Sequence, residues 1–150
     1  MSAREITIEP PKPAAIEVRG LCPLIQVYDM NESLAFYRDC LGFALVAVSD
    51  VRDAPEGRMF HWAWLRLGGA DLMLNTAYDE GERPPARDPD RQAAHGDAGL
   101  FFDCPDVDGA AGLLRSRGVT GLGPKDAPYG MRQLFVTDPD GYVLCFQAPL

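Results

Sequence analysis

The chain has 150 residues, of which 47% are hydrophobic and 24% charged, the mixture typical of one soluble globular domain. Its 22 acidic and 14 basic residues give a net charge of −8, which disfavours nucleic acid and anionic membranes as partners but allows a small neutral or cationic ligand. No apolar run has the length of a membrane span or a secretory signal. The 4 cysteines form no close pair in the sequence, so we expect reduced thiols and a cytoplasmic protein.

Strand and helix patterns alternate in chain order after a proline-rich N-terminal arm, residues 1–20. A strand is predicted from Leu21 to Tyr28, followed by a helix that Asp29 caps. Apolar residues recur at helical spacing until Gly42, which ends the helix. The remaining elements of this half are a strand at Phe43–Ser49 and a hairpin of Met59–Leu67 and Ala70–Thr76.

Residues 77–97 contain several prolines and charges and almost no apolar side chains, which is typical of either a functional lid or a disordered linker. The order of elements then repeats. The repeat comprises a strand at Ala98–Cys104, a helix that Asp106 caps, a weak strand near Thr120–Leu122 and a hairpin of Gln133–Thr137 and Tyr142–Gln147. We therefore predict one domain, residues 21–147, divided into a first module (21–76), a loop (77–97) and a second module (98–147).

Motifs in both modules resemble those of one superfamily. In the first module they are Val27-Tyr28-Asp29-Met30, Ser33-Leu34-Ala35-Phe36-Tyr37 and Leu41-Gly42-Phe43. In the second they are Asp106-Val107-Asp108 and Asp138-Pro139-Asp140-Gly141-Tyr142. This pair of modules resembles the vicinal oxygen chelate superfamily, the group of glyoxalases, bleomycin-resistance proteins and extradiol dioxygenases. The resemblance implies an α+β fold of paired βαβββ modules whose sheets curl into a cup, commonly in homodimers.

The resemblance also identifies four strand positions at which the metalloenzymes of the superfamily carry His, Glu or Gln. In this chain those positions hold Cys22, Met73, Gly99 and Cys145. Hard divalent metals prefer carboxylate or imidazole ligands, and two thiols alone would leave a zinc site incomplete. We therefore expect no metal and no other cofactor.

Strand alternation predicts which side chains face the cup, because successive side chains of a strand point to opposite faces. The resulting candidate ligand-binding residues are Gln26, Trp62, Trp64, Arg66, Met73, Asn75, Phe101, Asp103 and Gln147. Such a surface, with large aromatic walls and a few polar groups, is typical of a small-molecule pocket. The alternatives are that the tryptophans pack in a dimer interface or in the core, and that Arg66 and Asp103 form an ion pair.

Three functions follow from these residues. The first is a metal-free binding protein, similar to the bleomycin-resistance branch, for a small planar or cationic organic molecule. The second is a lyase, isomerase or dioxygenase of the superfamily, with an atypical metal site or with Asp103 as the base in metal-free catalysis. The third is a dimeric module that binds a protein partner and whose own side chains fill the cup.

Overall fold

The computed structural model describes residues 6–13, 15–55 and 57–150, and these contain ten strands and three α-helices. The strands are β1 Leu24–Val27, β2 Ala44–Val48, β3 Arg52–Ala54, β4 Gly57–Met59, β5 Trp62–Leu67, β6 Ala70–Thr76, β7 Gly99–Asp103, β8 Leu122–Ala127, β9 Met131–Thr137 and β10 Val143–Pro149. The helices are α1 Met30–Leu34, which continues as a π-helical segment Ala35–Cys40, α2 Pro89–Ala94 with a 3₁₀ turn His95–Asp97, and α3 Val107–Ser116.

Local signals set the ends of both module helices. The Asp29 side chain accepts a hydrogen bond from the Glu32 amide at 3.1 Å, and Asp106 accepts one from the Gly109 amide at 2.9 Å. These bonds satisfy amide groups that have no partner within the first turn of a helix. Gly42 and Gly118 follow the two helices with φ of 92° and 79°, a conformation that favours glycine. The two predicted caps are therefore confirmed.

Each module contributes one four-stranded sheet. The strand orders are β1-β6-β5-β2 and β7-β10-β9-β8, and β3 pairs with β4 in a separate hairpin. The first strand of each sheet is parallel to the last strand of its module, and the other pairs are antiparallel. Each module therefore has the βαβββ order, and the predicted α+β fold is confirmed.

The two sheets and their helices enclose a single hydrophobic core. Its fully buried members include Leu65 and Leu74 of the first sheet and Leu144 of the second. The Phe43 and Phe102 rings meet edge to face across the modules, with centroids 6.2 Å apart. Because the inward faces of both sheets pack into this core, the alternate side chains of each strand face away from it. A helix with the length and apolarity of a membrane span is absent from the described part of the chain.

The loop of residues 77–97, here called the strap, packs against both modules. The Tyr28 hydroxyl donates to the Pro84 carbonyl at 2.6 Å, and the Arg83 and Arg87 guanidiniums lie 4.9 and 4.8 Å from the Tyr28 ring centroid. Further along, the His95 ring stacks on Tyr142 with centroids 4.1 Å apart. The strap is thus a folded connection that contains α2, not the structureless linker considered as one alternative.

The described residues of the N-terminal arm, 6–13 and 15–20, form no strand or helix, and residues 1–5 lie outside the described range. Apolar side chains of the arm are exposed, for example Ile8 and Ile16.

Candidate functional site

The outward face of the first sheet carries six of the predicted ligand-binding residues. Cross-strand register places Trp62 opposite Asn75, Trp64 opposite Met73 and Arg66 opposite Asp71, with Gln26 of β1 beside Asn75. The intervening residues Ala63 and Leu65 are fully buried in the core, as strand alternation requires. We call this surface the first half-cup; it comprises Gln26, Trp62, Trp64, Arg66, Asp71, Met73 and Asn75.

Polar side chains of the first half-cup bond to one another. Arg66 donates from Nε to Asp71 Oδ1 at 2.7 Å and from a terminal nitrogen to Oδ2 at 3.2 Å. Arg66 thereby lowers the pKa of the Asp71 carboxyl, and its guanidinium also lies 5.3 Å from the Trp64 ring centroid. Asn75 Nδ2 donates to Gln26 Oε1 at 3.3 Å. The predicted alternative of an Arg66–Asp103 pair is wrong, because Asp71 is opposite Arg66 in the hairpin.

The indole nitrogen of Trp64 is a buried donor without an acceptor among the described residues. The Trp64 indole lies close to the Asp71 carboxyl and also lowers its pKa, but to a smaller extent than Arg66 does. Their geometry is nevertheless not that of a hydrogen bond. A buried N–H that has lost water and gained no partner favours any acceptor that reaches it.

The outward face of the second sheet carries the other three predicted residues, Phe101, Asp103 and Gln147. Two residues that sequence reasoning missed lie beside them: Phe135, whose ring meets Phe101 edge to face at 6.3 Å, and Gln133, which donates to Gln147 Oε1 at 2.9 Å. Side chains alternate along the predicted strand Gln133–Thr137, so residues 133 and 135 share one face; this signal could have identified them. We call these five residues the second half-cup.

The two half-cups are separate sets of contacts, although members of both border one groove. Hydrogen bonds and aromatic contacts of the described residues join members of each set, and none joins one set to the other. A groove of about 880 Å³ runs from the β5–β6 turn to β7 and α3, and Asp71, Phe101 and Asp103 border it. Asp103 is exposed in the single chain.

The four positions at which related metalloenzymes hold a metal do not fit one here. Burial raises the pKa of the Cys145 thiol, and burial followed by the Asp71 charge raises that of Cys22, whereas a metal binds the thiolate. Cys145 is also fully buried, in register between Phe101 and Phe135. Met73 offers only a thioether and Gly99 no side chain. Within the described ranges, no three His, Cys, Asp or Glu side chains group closely enough to hold a metal ion.

A buried cluster of acids and tyrosines connects the modules, and sequence reasoning treated its Asp138–Gly141 segment only as a turn. Tyr37 donates to Asp138 Oδ2 at 2.6 Å, and the amides of Asp140 and Tyr142 donate to Asp138 Oδ1 at 2.8 and 2.9 Å. Asp140 accepts from the Tyr28 amide at 3.0 Å. The Tyr142 hydroxyl in turn accepts a hydrogen bond from the backbone N–H of Gln26 at 3.2 Å, which connects this cluster to the first half-cup.

Comparison with known proteins agrees with this architecture. Residues 21–146 match the Glyoxalase family, described as the Glyoxalase/Bleomycin resistance protein/Dioxygenase superfamily. The chain therefore belongs to this superfamily, as its motifs predicted. Among curated proteins, no significant match is found.

Solved structures with the same fold include two from Streptomyces sp. CB03234. One is TnmS3, an antibiotic binding protein, with 29% identity and a TM-score of 0.59 over 89% of this chain and 99% of that chain. The other is a glyoxalase/bleomycin resistance protein with 30% identity and a TM-score of 0.55 over 85% and 97%. TioX from Micromonospora sp. ML1, at 19% identity, shares the fold with a TM-score of 0.67 over 89% and 100%.

Proposed function

We propose that this protein binds a small planar or cationic organic molecule on the aromatic surface of a cup, without a metal ion. The observation that carries this proposal is the position of the two tryptophans. Both indoles of the chain stand on the outward face of the first sheet, outside the core that the same sheet covers. Stacking on aromatic faces, with amide groups for orientation, suits such a ligand.

A second copy of the chain completes the cup in this proposal. No hydrogen bond or ring contact among the described residues joins the two half-cups of one chain, and in this proposal each half-cup supplies one wall of a ligand site. Among the described residues, β1 and β7 are edge strands of their sheets, and Leu24 and Phe101 on them are 49% and 56% exposed. Pairing the first half-cup of one copy with the second half-cup of another would cover both surfaces, and a homodimer with two-fold symmetry does this twice.

The similarity to TnmS3, an antibiotic binding protein, supports an antibiotic as the ligand class. A metal-assisted enzyme gains no support from the donor set described above. The cytoplasmic location expected from reduced cysteines remains part of the proposal; all four thiols are free in this structure.

Tryptophan fluorescence tests the proposal directly, because both fluorophores belong to the first half-cup. A panel of planar antibiotics and dyes is titrated into wild-type protein and into the single-tryptophan variants W62F and W64F. We expect saturable quenching in all three proteins by at least one compound, and a dimer mass by light scattering. No quenching by any compound, or a monomer at micromolar concentration, would contradict the proposal.

A further inference from the structure

The charges of the first half-cup cancel within the protein. Arg66 and Asp71 are the charged residues on the outward face of this sheet, and they pair through two parallel hydrogen bonds of 2.7 and 3.2 Å. This paired geometry fixes both side chains more firmly than a single contact would. Despite the net charge of −8 of the whole chain, the surface that carries the tryptophans therefore presents no free carboxylate to a cationic ligand.

A cationic side chain of the protein, Arg66, already lies against the Trp64 ring. The Arg66 guanidinium lies 5.3 Å from the Trp64 ring centroid, within the range of a cation–π interaction. A cationic ligand would have to compete with this guanidinium for the ring and would be repelled by its charge.

One side-chain amide nitrogen and one side-chain amide oxygen are left unbonded on this face within the described residues. The side-chain nitrogen Nε2 of Gln26 makes no hydrogen bond within the described residues, because only Oε1 bonds to Asn75. Trp64 Nε1 also has no acceptor, but this atom is buried. One amide oxygen, that of Asn75, is their only unbonded counterpart among the amides of the face. Donors of this kind are complementary to carbonyl or hydroxyl oxygens of a ligand.

We propose that the first half-cup selects uncharged planar molecules with oxygen acceptors, and that Arg66 is the specificity-determining residue that excludes cations. The inference rests on the proposed binding function and narrows its ligand class. Within the first half-cup, Arg66 compensates the single carboxylate, that of Asp71; the exposed Asp103 belongs to the second half-cup.

Two dyes of similar shape test this selection. Lumichrome is an uncharged three-ring molecule with carbonyl acceptors, whereas proflavine is a three-ring cation whose polar groups are N–H donors. Their affinities for wild-type protein, R66M and R38M are measured by fluorescence anisotropy at constant ionic strength. Arg38 is an exposed residue of the π-helical segment, paired with Asp39 at 3.0 Å, so R38M changes the net charge equally but leaves the half-cup intact.

We expect wild-type protein to bind lumichrome more tightly than proflavine. R66M frees both Asp71 and the Trp64 ring, so the affinity for proflavine should rise about tenfold, while R38M changes it less than about twofold. As a second variant, D71N should weaken proflavine binding further, because it leaves the Arg66 charge uncompensated. Circular dichroism checks that each variant is folded.

The outcomes separate the inference from the proposed function. Tighter binding of proflavine than of lumichrome by the wild type, or equal gains in R66M and R38M, would overturn the role of Arg66 while leaving planar-ligand binding intact. Stronger proflavine binding by D71N would overturn it as well. Failure of the wild type to bind either dye would count against both proposals.

Discussion

Asp138 illustrates how a single side chain connects distant parts of this fold. The residue is 4% exposed, and its carboxylate accepts hydrogen bonds from the Tyr37 hydroxyl and from two backbone amides. Burial raises the pKa of Asp138 by more than these hydrogen bonds lower it. The residue therefore stabilises the junction of the modules through its bonds while its charge is unfavourable.

Replacement of Asp138 separates these two effects. D138A leaves three donors without an acceptor, so we expect the free energy of unfolding to fall by about 2–4 kcal/mol. D138N keeps an oxygen for the two amides, and its NH₂ group can donate to the Tyr37 oxygen, so the loss should be smaller. Urea unfolding at pH 7 measures both values, and equal losses would contradict this assignment of the bonds.

The raised pKa of Asp138 also predicts a pH dependence. Between the ordinary Asp pKa of about 3.9 and the raised value, the folded chain holds a proton that the unfolded chain has released. The free energy of unfolding therefore falls as pH rises through this window. The side-chain amide of the D138N variant does not titrate, so the stability of the wild type relative to D138N should decrease with rising pH there, as urea unfolding at several pH values would detect. An increase would mean that the pKa is lowered.

Sequence patterns identified residues wherever the information was local. The period of two in β5 and β6 was sufficient to assign Trp62, Trp64 and Met73 to one face. The two-residue turn at Gly68 and Gly69 also implied that Arg66 is opposite Asp71, a signal that the prediction did not use. The buried role of Asp138 gives no local signal, because its partner Tyr37 is 101 positions away in the sequence.

At the scale of elements, the strap and the β9–β10 turn depend on each other. Gln92 of α2 donates to the Pro139 carbonyl at 3.1 Å, and His95 Nδ1 donates to the Asp140 carbonyl at 2.7 Å. Arg87 adds an ion pair of 2.6 Å with Glu32, at the start of the first helix. The composition of residues 77–97 could not reveal these contacts, because backbone carbonyls supply many of the acceptors.

Gly141 is the position at which this contact is tightest. Its φ is 88°, and a Cβ atom there would lie 2.5 Å from the Gln92 carbonyl oxygen. We expect G141A to lower the free energy of unfolding by about 1–3 kcal/mol, because it combines backbone strain with a steric clash.

The matched control is G112A in α3, where a Cβ atom would meet nothing within 4 Å. Alanine is the better helix former, so this variant should be more stable by about 0.5–1 kcal/mol. Thermal unfolding of both variants measures the difference. A G141A protein as stable as G112A would show that the strap does not approach the turn this closely in solution.

At the scale of the whole molecule, the packing of the two sheets around one core was not predictable from the sequence. Alternation tells which side chains share a sheet face, but the packing of two sheets depends on contacts between them, such as Phe43 with Phe102. Repetition of the βαβββ order, in contrast, was predictable from the strand and helix signals of each module separately.

Under the proposed homodimer, each ligand site contains the first half-cup of one copy and the second half-cup of the other. W62A/W64A and F101A/F135A should therefore each abolish binding when purified alone. A mixed dimer of the two variants has one site with both half-cups intact and one site with both half-cups altered. Half of all dimers are mixed after random exchange. Random exchange of subunits should restore about one quarter of the wild-type binding capacity. Capacity is measured by dye titration after co-refolding, with light scattering to confirm that dimers form; no recovery would exclude sites shared between copies.

Because side chains alternate along β5 and β6, the candidate ligand-binding residues of these strands are different from the residues that form the core. Ala63, Leu65, Leu72 and Leu74 face the core, so we expect exchange of the outward side chains of β5 and β6 to leave the core packing unchanged. A randomised library at the outward positions should thus yield folded proteins with new chemical preferences. Diversification of ligand range then requires changes to one surface only, on a scaffold that stays constant.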